Sequence, residues 1–466
     1  MVQPHAVAVL GVGAGVPAWR LAANDIATAW GGRGGRGSIA VCGPDEDTLT
    51  LAWTACDALF AETGARAEDV DGLWWGTTRP PFAEGPSWSH LAASLRLGPS
   101  AAGAVAAGSP HAGVEALLAA ADAIAAGTVR RAIVVTSDAL LPGTGTSLEP
   151  VCGAAATAVL LGPDEDGAPA LLGPRASRWM AALDRYRGDH EDTTRDVYDG
   201  RLFREEIFLP LATETAAALG TDSRWSLPDP DGRLGAALAR KIGTDQVVSS
   251  DVRRALGDTG AAAALSGLVP ALAEPGAAAL LAFGGGRATA VGVEVRSTVP
   301  GAERAVADLA AEGAPASYAQ VLRARGQLEP AGEHVEMAVP PGSAMFVRGN
   351  AEILGLIGGR CVDCATVSFP PAIHPACLSC GGDKFDAVPL SRTGTVQTFV
   401  INHAMPAPFV APLPLVCVDL DDGSRVMFQG AGTGADIAIG APVDLVLRRY
   451  AIERGVPVYG WKVRSR

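Results

Sequence analysis

Apolar and polar positions divide the chain into two regimes. From residue 1 to about 298, short β-rich runs (AVAVLGV, DGLWWGT, RAIVVTSD, ATAVLLG, AALLAFGGG, AVGVEV) alternate with Ala-rich segments at 49–63, 113–127, 211–220 and 260–273, whose apolar residues recur at helical spacing. Such alternation predicts a layered α/β domain. Residues 299–350 break the pattern, with Pro and Gly around the short helical stretch SYAQVLRARGQLE and then the loop PAGEHVEMAVPPGSAMF. They read as a linker with a short helix. Residues 351–388 carry two cysteine pairs. Residues 389–466 hold TGTVQTFVI, PLVCVDLDDGSRVMFQG, PVDLVLRRY and VYGWKV, with DDG and RG turns between them, which predicts a small all-β barrel or sandwich.

Length supports this division, because 466 residues exceed the roughly 250–300 that one hydrophobic core organises. No apolar run approaches the roughly 20 residues of a membrane span. The start, MVQPHAVAVLGVGAGVP, lacks a basic segment before its apolar stretch and reads as a strand and Gly-rich turn, so the expected location is the cytoplasm. A formal net charge of −13 disfavours a nucleic-acid partner, which needs clustered Lys and Arg. Eight cysteines are too sparse for a disulfide framework.

Four of those cysteines form Cys361-Val-Asp-Cys364 and Cys377-Leu-Ser-Cys380, two CxxC pairs 12 residues apart. Each pair can form a knuckle that places two thiolates on one ion, and together they make the tetrahedral four-sulfur shell preferred by structural zinc. With all four positions filled by protein, no site remains for a reactive water. Iron suits the same geometry. His374, between the pairs, is a substitute ligand or a surface residue. The order CxxC, Phe369-Pro370-Pro371, CxxC, GTVQTF (394–399), DLDDGSR (419–425) and VYGWK (458–462) resembles the acyl-CoA-associated rubredoxin-like zinc-ribbon and OB-fold family, from about Ser317 onward. The resemblance implies a module that accompanies thiolase-like enzymes and helps bind or channel acyl-CoA.

The first 298 residues resemble the archaeal and bacterial 3-hydroxy-3-methylglutaryl-CoA (HMG-CoA) synthases and ketoacyl synthase III of the thiolase superfamily. The resemblance is carried by DEDTLTLA (45–52), GLWWGTTRPPF (72–82), AGVEALLAAADAIAAG (112–127), RAIVVTSD (131–138), PGTGTSLEPVCGAAATAVLLG (142–162), GDTGAAAALSGL (257–268) and LLAFGGG (280–286). It implies a duplicated α/β/α/β/α layered domain, acyl-CoA as ligand and a homodimer, with or without a separate thiolase-like partner. Chemistry in that family needs a cysteine thiolate, a histidine, an Asn-type donor and, in the synthases, a Glu. By motif position these fall on Pro110, Pro228, Asp258 and Thr78, so every expected role is vacant or altered.

A one-residue shift in that matching offers Ser109 as a nucleophile, with His111 as its base and Asp258 as orienter or base. The alternatives are a packed or solvated helix-start residue for His111 and a turn or N-cap residue for Asp258. Cys56 and Cys152 sit in Ala-rich apolar surroundings and read as small buried hydrophobes. Gly284-Gly285-Gly286 follows a strand, and its turn can approach a ligand closely and offer N–H donors to a thioester oxygen.

Two functions fit. The first is a condensing or cleaving enzyme of acyltransferase or aldolase type, acting next to an acyl-CoA thioester in lipid or polyketide metabolism without an acyl-cysteine. The second is a catalytically inactive acyl-CoA-binding scaffold subunit paired with an active thiolase.

Overall fold

The computed structural model describes residues 6–32, 35–165, 167–197, 199–220, 222–328, 350–370, 375–404, 411–432, 436–453 and 455–466. The chain forms two compact units, one of Met1–Trp88 with Leu97–Glu329 and one of Ser89–Arg96 with Pro330–Arg466.

In the first unit a nine-stranded sheet runs in the order Ala102–Ala107, Gly72–Thr77, Ala132–Ala139, Ala154–Pro163, Val7–Gly15, Ala170–Trp179, Arg287–Val295, Gly276–Gly284, Arg224–Ser226. Its hydrogen bonding has a mirrored plan. Outward from the central pair, Val7–Gly15 with Ala170–Trp179, each side continues with two antiparallel partners and then a parallel one. This is the duplication of a thiolase fold, present in the backbone although the two halves share little sequence.

Strand alternation builds the layers. In Gly276–Gly284, Ala278, Leu280 and Ala282 enter a central cluster that also holds Leu117 and Ile124 of helix Ala112–Ala125 and Leu268 of helix Ala263–Leu272. The intervening Ala279, Leu281 and Phe283 pack outward on Phe208, Ala212 and Leu238, which belong to an outer helical layer. Period-two side-chain direction is the reason one strand serves two cores. Helix Thr48–Thr63 packs on the first half of the sheet and starts at a capping box. There Asp47 accepts from the Leu49 and Thr50 N–H groups (3.1 and 3.0 Å), and the Thr50 hydroxyl oxygen accepts from Asp47 N–H (2.8 Å). The helix stops at Gly64 in the left-handed region, φ 66°.

Residues 299–328, read from the sequence as the opening of a linker, belong to this unit. Helix Ala302–Ala310 buries Ala302, Ala305 and Leu309 in the central cluster. Ala314–Pro315 pairs with Trp19–Ala22, and Ser317 caps helix Tyr318–Ala324. A three-residue apolar spacing between flanking Pro and Gly was enough to anchor this stretch. The remainder of the expected linker, 329–349, lies outside the described residues, as does His374.

In the second unit Ile357–Cys361 pairs with Val367–Ser368 and Phe385–Pro389, which is the zinc-ribbon sheet. The strands Thr393–Asn402, Leu413–Leu420, Arg425–Gly430, Val456–Ser465 and Pro442–Glu453 then close into a five-stranded barrel, the OB-fold. Arg96 is tied into this unit, its guanidinium donating to the Gly355 and Leu390 carbonyls at 2.6 and 2.8 Å. Among the described residues no helix is long and apolar enough to cross a membrane.

Helix Ala112–Ala125 crosses strand Gly72–Thr77 at a glycine pair, where a Cβ on Gly76 would sit 2.6 Å from the Gly113 Cα and a Cβ on Gly113 2.1 Å from the Ala261 carbonyl oxygen. Both obstacles are backbone and cannot rotate away. Gly113→Ala is therefore expected to lose about 1–3 kcal/mol of stability, measured by denaturant unfolding. Unchanged stability would mean that helix Ala112–Ala125 does not pack this closely on the Ala261 backbone.

Candidate functional site

The first unit contains a pocket of about 70 Å³, lined in part by Pro110, Arg185, Phe203, Pro228, Asp258 and Phe283. Three of these, Pro110, Pro228 and Asp258, are the positions that the family resemblance assigns to the cysteine, the histidine and the asparagine. The fold thus brings the three places together. Neither proline carries a nucleophile, a base or a side-chain donor.

Asp258 opens the turn before the short helix Gly260–Ala262. Its Oδ1 accepts from Gly260 N–H (3.0 Å), as expected of a turn-capping residue. Its Oδ2 accepts from Arg185 Nη1 at 2.6 Å, and both side chains are about nine-tenths buried. Burial works against the charge on Arg185, but the Asp258 and Asp196 carboxylates outweigh it and raise its pKa above the ordinary value. Arg185 has no sequence signature. It lies in an irregular loop, 73 residues before its partner.

Ser109 and His111 lie in one turn ahead of helix Ala112–Ala125, and Ser109 Oγ accepts from His111 backbone N–H at 3.3 Å. The imidazole itself leads elsewhere. His111 is 1% exposed, with Nδ1 3.2 Å from Glu115 Oε1 and Nε2 2.8 Å from Thr289 Oγ1. Burial, with Arg287 nearby, lowers its pKa against the pull of Glu115, which favours the neutral ring. A carboxylate only accepts, which places the proton on Nδ1 and leaves Nε2 to accept from the Thr289 hydroxyl. These hydrogen bonds fit the packed helix-start reading of His111. They do not join the imidazole to Ser109 Oγ or to the Asp258 carboxylate.

The glycine run abuts the same turn. A Cβ on Gly284 would fall 2.8 Å from His111 N and Pro110 Cδ, one on Gly285 3.3 Å from Ser109 Cβ, and one on Gly286 2.3 Å from the Met180 carbonyl oxygen. Gly285 and Gly286 also hold φ of 61° and 68°. Close backbone packing therefore gives each of the three glycines a structural reason. The Gly285 N–H, a donor expected for a thioester oxygen, is engaged by Asp184 Oδ2 at 2.7 Å.

Thr78, at the glutamate position, holds a carboxyl group supplied by another strand. Its hydroxyl donates to Asp138 Oδ1 (2.8 Å) and its N–H to Oδ2 (3.1 Å), which also accepts from Ala261 N–H (2.9 Å). Asp138 is fully buried, and a Cβ on Gly260 would come within 2.3 Å of it. Burial raises its pKa to about 6 despite the opposing hydrogen bonds. Cys56 and Cys152 are both fully buried, as expected. Burial pushes both thiols up, Cys152 to about 12, so neither is a ready thiolate.

In the second unit, the sulfurs of Cys361, Cys364, Cys377 and Cys380 all lie within 4.8 Å of one another. The cross-pairs Cys361–Cys380 and Cys364–Cys377 stand at 3.6 and 3.5 Å. A tetrahedral ion with metal–sulfur bonds of about 2.3 Å requires edges of about 3.8 Å, so the donor set fits zinc. Each knuckle is closed by backbone, with Ala365 N–H donating to Cys361 O and Gly381 N–H to Cys377 O.

Two tests follow from these sites. Metal analysis of the purified chain should find about one zinc per chain, falling towards none in Cys361→Ser. Full retention in that variant would contradict the four-cysteine shell. For Asp138, the folded-state pKa lies above the unfolded value of 3.8, so its contribution is most favourable at low pH and is lost as pH rises through about 6. Asp138→Asn keeps the acceptor for Thr78 and Ala261 and can donate to the Thr78 hydroxyl. Its stability relative to wild type should improve from pH 4 to pH 8 by an amount on the order of 3 kcal/mol at most. A difference that stays flat over this range would contradict a buried, ionising carboxyl.

Comparison with known proteins agrees with both units. The rubredoxin-like zinc ribbon domain of ChsH2 matches residues 353–386, and the C-terminal OB-fold domain of ChsH2 matches 387–448. Hydroxymethylglutaryl-CoA synthase of Aeropyrum pernix is 27% identical over 294 residues, covering 59% of this chain and 81% of that protein. Benzoylsuccinyl-CoA thiolase subunit BbsA of Thauera aromatica is 33% identical over 111 residues, covering 24% of this chain and 76% of that protein. The solved structure of MvaS in complex with 3-hydroxy-3-methylglutaryl coenzyme A matches in fold with a TM-score of 0.58 at 21% identity, over 72% of this chain and 94% of that one. The chain belongs to the family that carries the ChsH2-type zinc ribbon and OB-fold, here fused behind a thiolase-fold domain like that of HMG-CoA synthase.

Proposed function

We propose that this protein binds acyl-CoA thioesters in its first unit and forms no acyl-cysteine, serving as a subunit beside a catalytically active thiolase-like protein. One observation carries the reading: the pocket wall holds prolines, Pro110 and Pro228, where the family's nucleophile and histidine belong. Covalent catalysis needs a thiolate or an activated hydroxyl within reach of the thioester. The buried imidazole of His111 and the buried thiols of Cys56 and Cys152 do not supply one. The resemblance of the C-terminal module to a thiolase subunit supports work alongside a partner enzyme. Strand Ala102–Ala107 stands at one edge of the sheet with Ala102, Gly103, Ala104 and Ala107 exposed, and we place subunit pairing there, with a second copy or with the thiolase. The zinc ribbon serves as structural support for the barrel that follows it.

A second reading rests on the Asp258–Arg185 pair. In it the carboxylate acts as a base, or the guanidinium steadies an enolate oxygen, in aldol-type carbon–carbon chemistry.

Incubation of the full chain with a panel of acyl-CoAs separates the two. On the first reading the thioesters bind, intact-mass spectra show no acyl adduct, and turnover appears only when a thiolase-like protein is added. Turnover by the chain alone that is abolished by Asp258→Asn and unaffected by Ser109→Ala or His111→Ala would establish the second. An adduct on any cysteine would overturn both.

A further inference from the structure

The chemistry of the pocket wall limits the acyl group that it can take. Four acidic residues line it, Asp184, Asp196, Asp229 and Asp258, against one cation, Arg185, which is already paired with Asp258 at 2.6 Å. These carboxyls do not converge on a metal ion. Among the described residues only the four zinc-ribbon cysteines bring three or more ligand atoms within 4.8 Å. The remaining wall is apolar. Phe283 meets Phe203 and Phe208 edge to face, with ring centroids 5.7 and 5.0 Å apart, and Leu281 adds an aliphatic surface.

We propose that this chamber selects CoA thioesters of neutral acyl groups, an aliphatic or aromatic body lying against the phenylalanines, and rejects acyl groups that end in a carboxylate. The inference rests on the acyl-CoA reading above and specifies its substrate class. A carboxylate entering the pocket loses its hydration and meets the buried Asp184, the half-buried Asp229 and the exposed Asp196. The charge of the one lining cation, Arg185, is already balanced by Asp258 at 2.6 Å, so it is no free counter-ion for a second carboxylate. Burial already raises the pKa of Asp184 and Asp229 despite the N–H groups of Gly285 and Gly235 that they accept, so a further negative charge compounds an existing penalty. A neutral acyl chain meets no such charge and gains the aromatic surface.

Calorimetric titration of the full chain with CoA, butyryl-CoA, benzoyl-CoA, succinyl-CoA and glutaryl-CoA tests the proposal. Butyryl- or benzoyl-CoA should bind about tenfold more tightly than CoA, while succinyl- and glutaryl-CoA bind no more tightly than CoA itself. Carboxylated thioesters that match or exceed the neutral ones would overturn it, and so would neutral ones no tighter than CoA. If CoA and all four thioesters fail to bind, the acyl-CoA reading falls and this inference falls with it. Asp184→Asn and Asp196→Asn, which keep side-chain shape, should each improve succinyl-CoA binding relative to butyryl-CoA about threefold. Discrimination that both variants leave unaltered would show that these carboxyls do not set it.

Discussion

The buried ion pair between Arg185 and Asp258 is the interaction on which the character of the pocket depends. Each partner makes the other tolerable in a place that water barely reaches, and removal of either leaves an uncompensated charge worth several kcal/mol. It joins an irregular loop to the turn ahead of helix Ala263–Leu272, and so connects the pocket rim to the central layer of the domain. It also engages Asp258, the residue that the family resemblance matches to an asparagine. A group held this way is a fixed part of the wall first and a reagent only if a ligand displaces its partner.

Around this pair the thiolase scaffold is kept with unusual economy of space. Gly76, Gly113 and Gly284 allow helix, strand and turn to approach to contact distances that any Cβ would forbid. Burial and Arg287 lower the pKa of His111 against the pull of Glu115, and both ring nitrogens hold the packing together. The His111 imidazole and the Cys56 and Cys152 thiols are buried in the packing, and the charged side chains that line the pocket are aspartates and one arginine.

Much of the architecture was legible in the sequence because it depends on local patterns. Val-, Ile- and Leu-rich runs such as RAIVVTSD mark buried strands, and two CxxC pairs mark a four-sulfur site whatever the fold around them. Strand Ala102–Ala107 escaped notice because AGAVAA has one β-branched residue and lies at an edge, where small side chains suffice. Helix Ala302–Ala310 escaped because its buried face is two alanines and a leucine between Pro and Gly. In the pocket, motif order led to Pro110, Pro228 and Asp258. Arg185, Asp184 and Asp138 could not be found that way, since each acts on a residue 60 to 123 positions away and nothing in its own neighbourhood announces the contact.

The central claim is that an acyl thioester sits intact beside two prolines. A crystal structure of the full chain grown with butyryl-CoA tests it most directly. The expected density is an unbroken thioester with its acyl end among Pro110, Pro228, Phe283 and Asp258. Density for butyryl covalently attached to a cysteine, or for CoA bound away from this pocket, would contradict it.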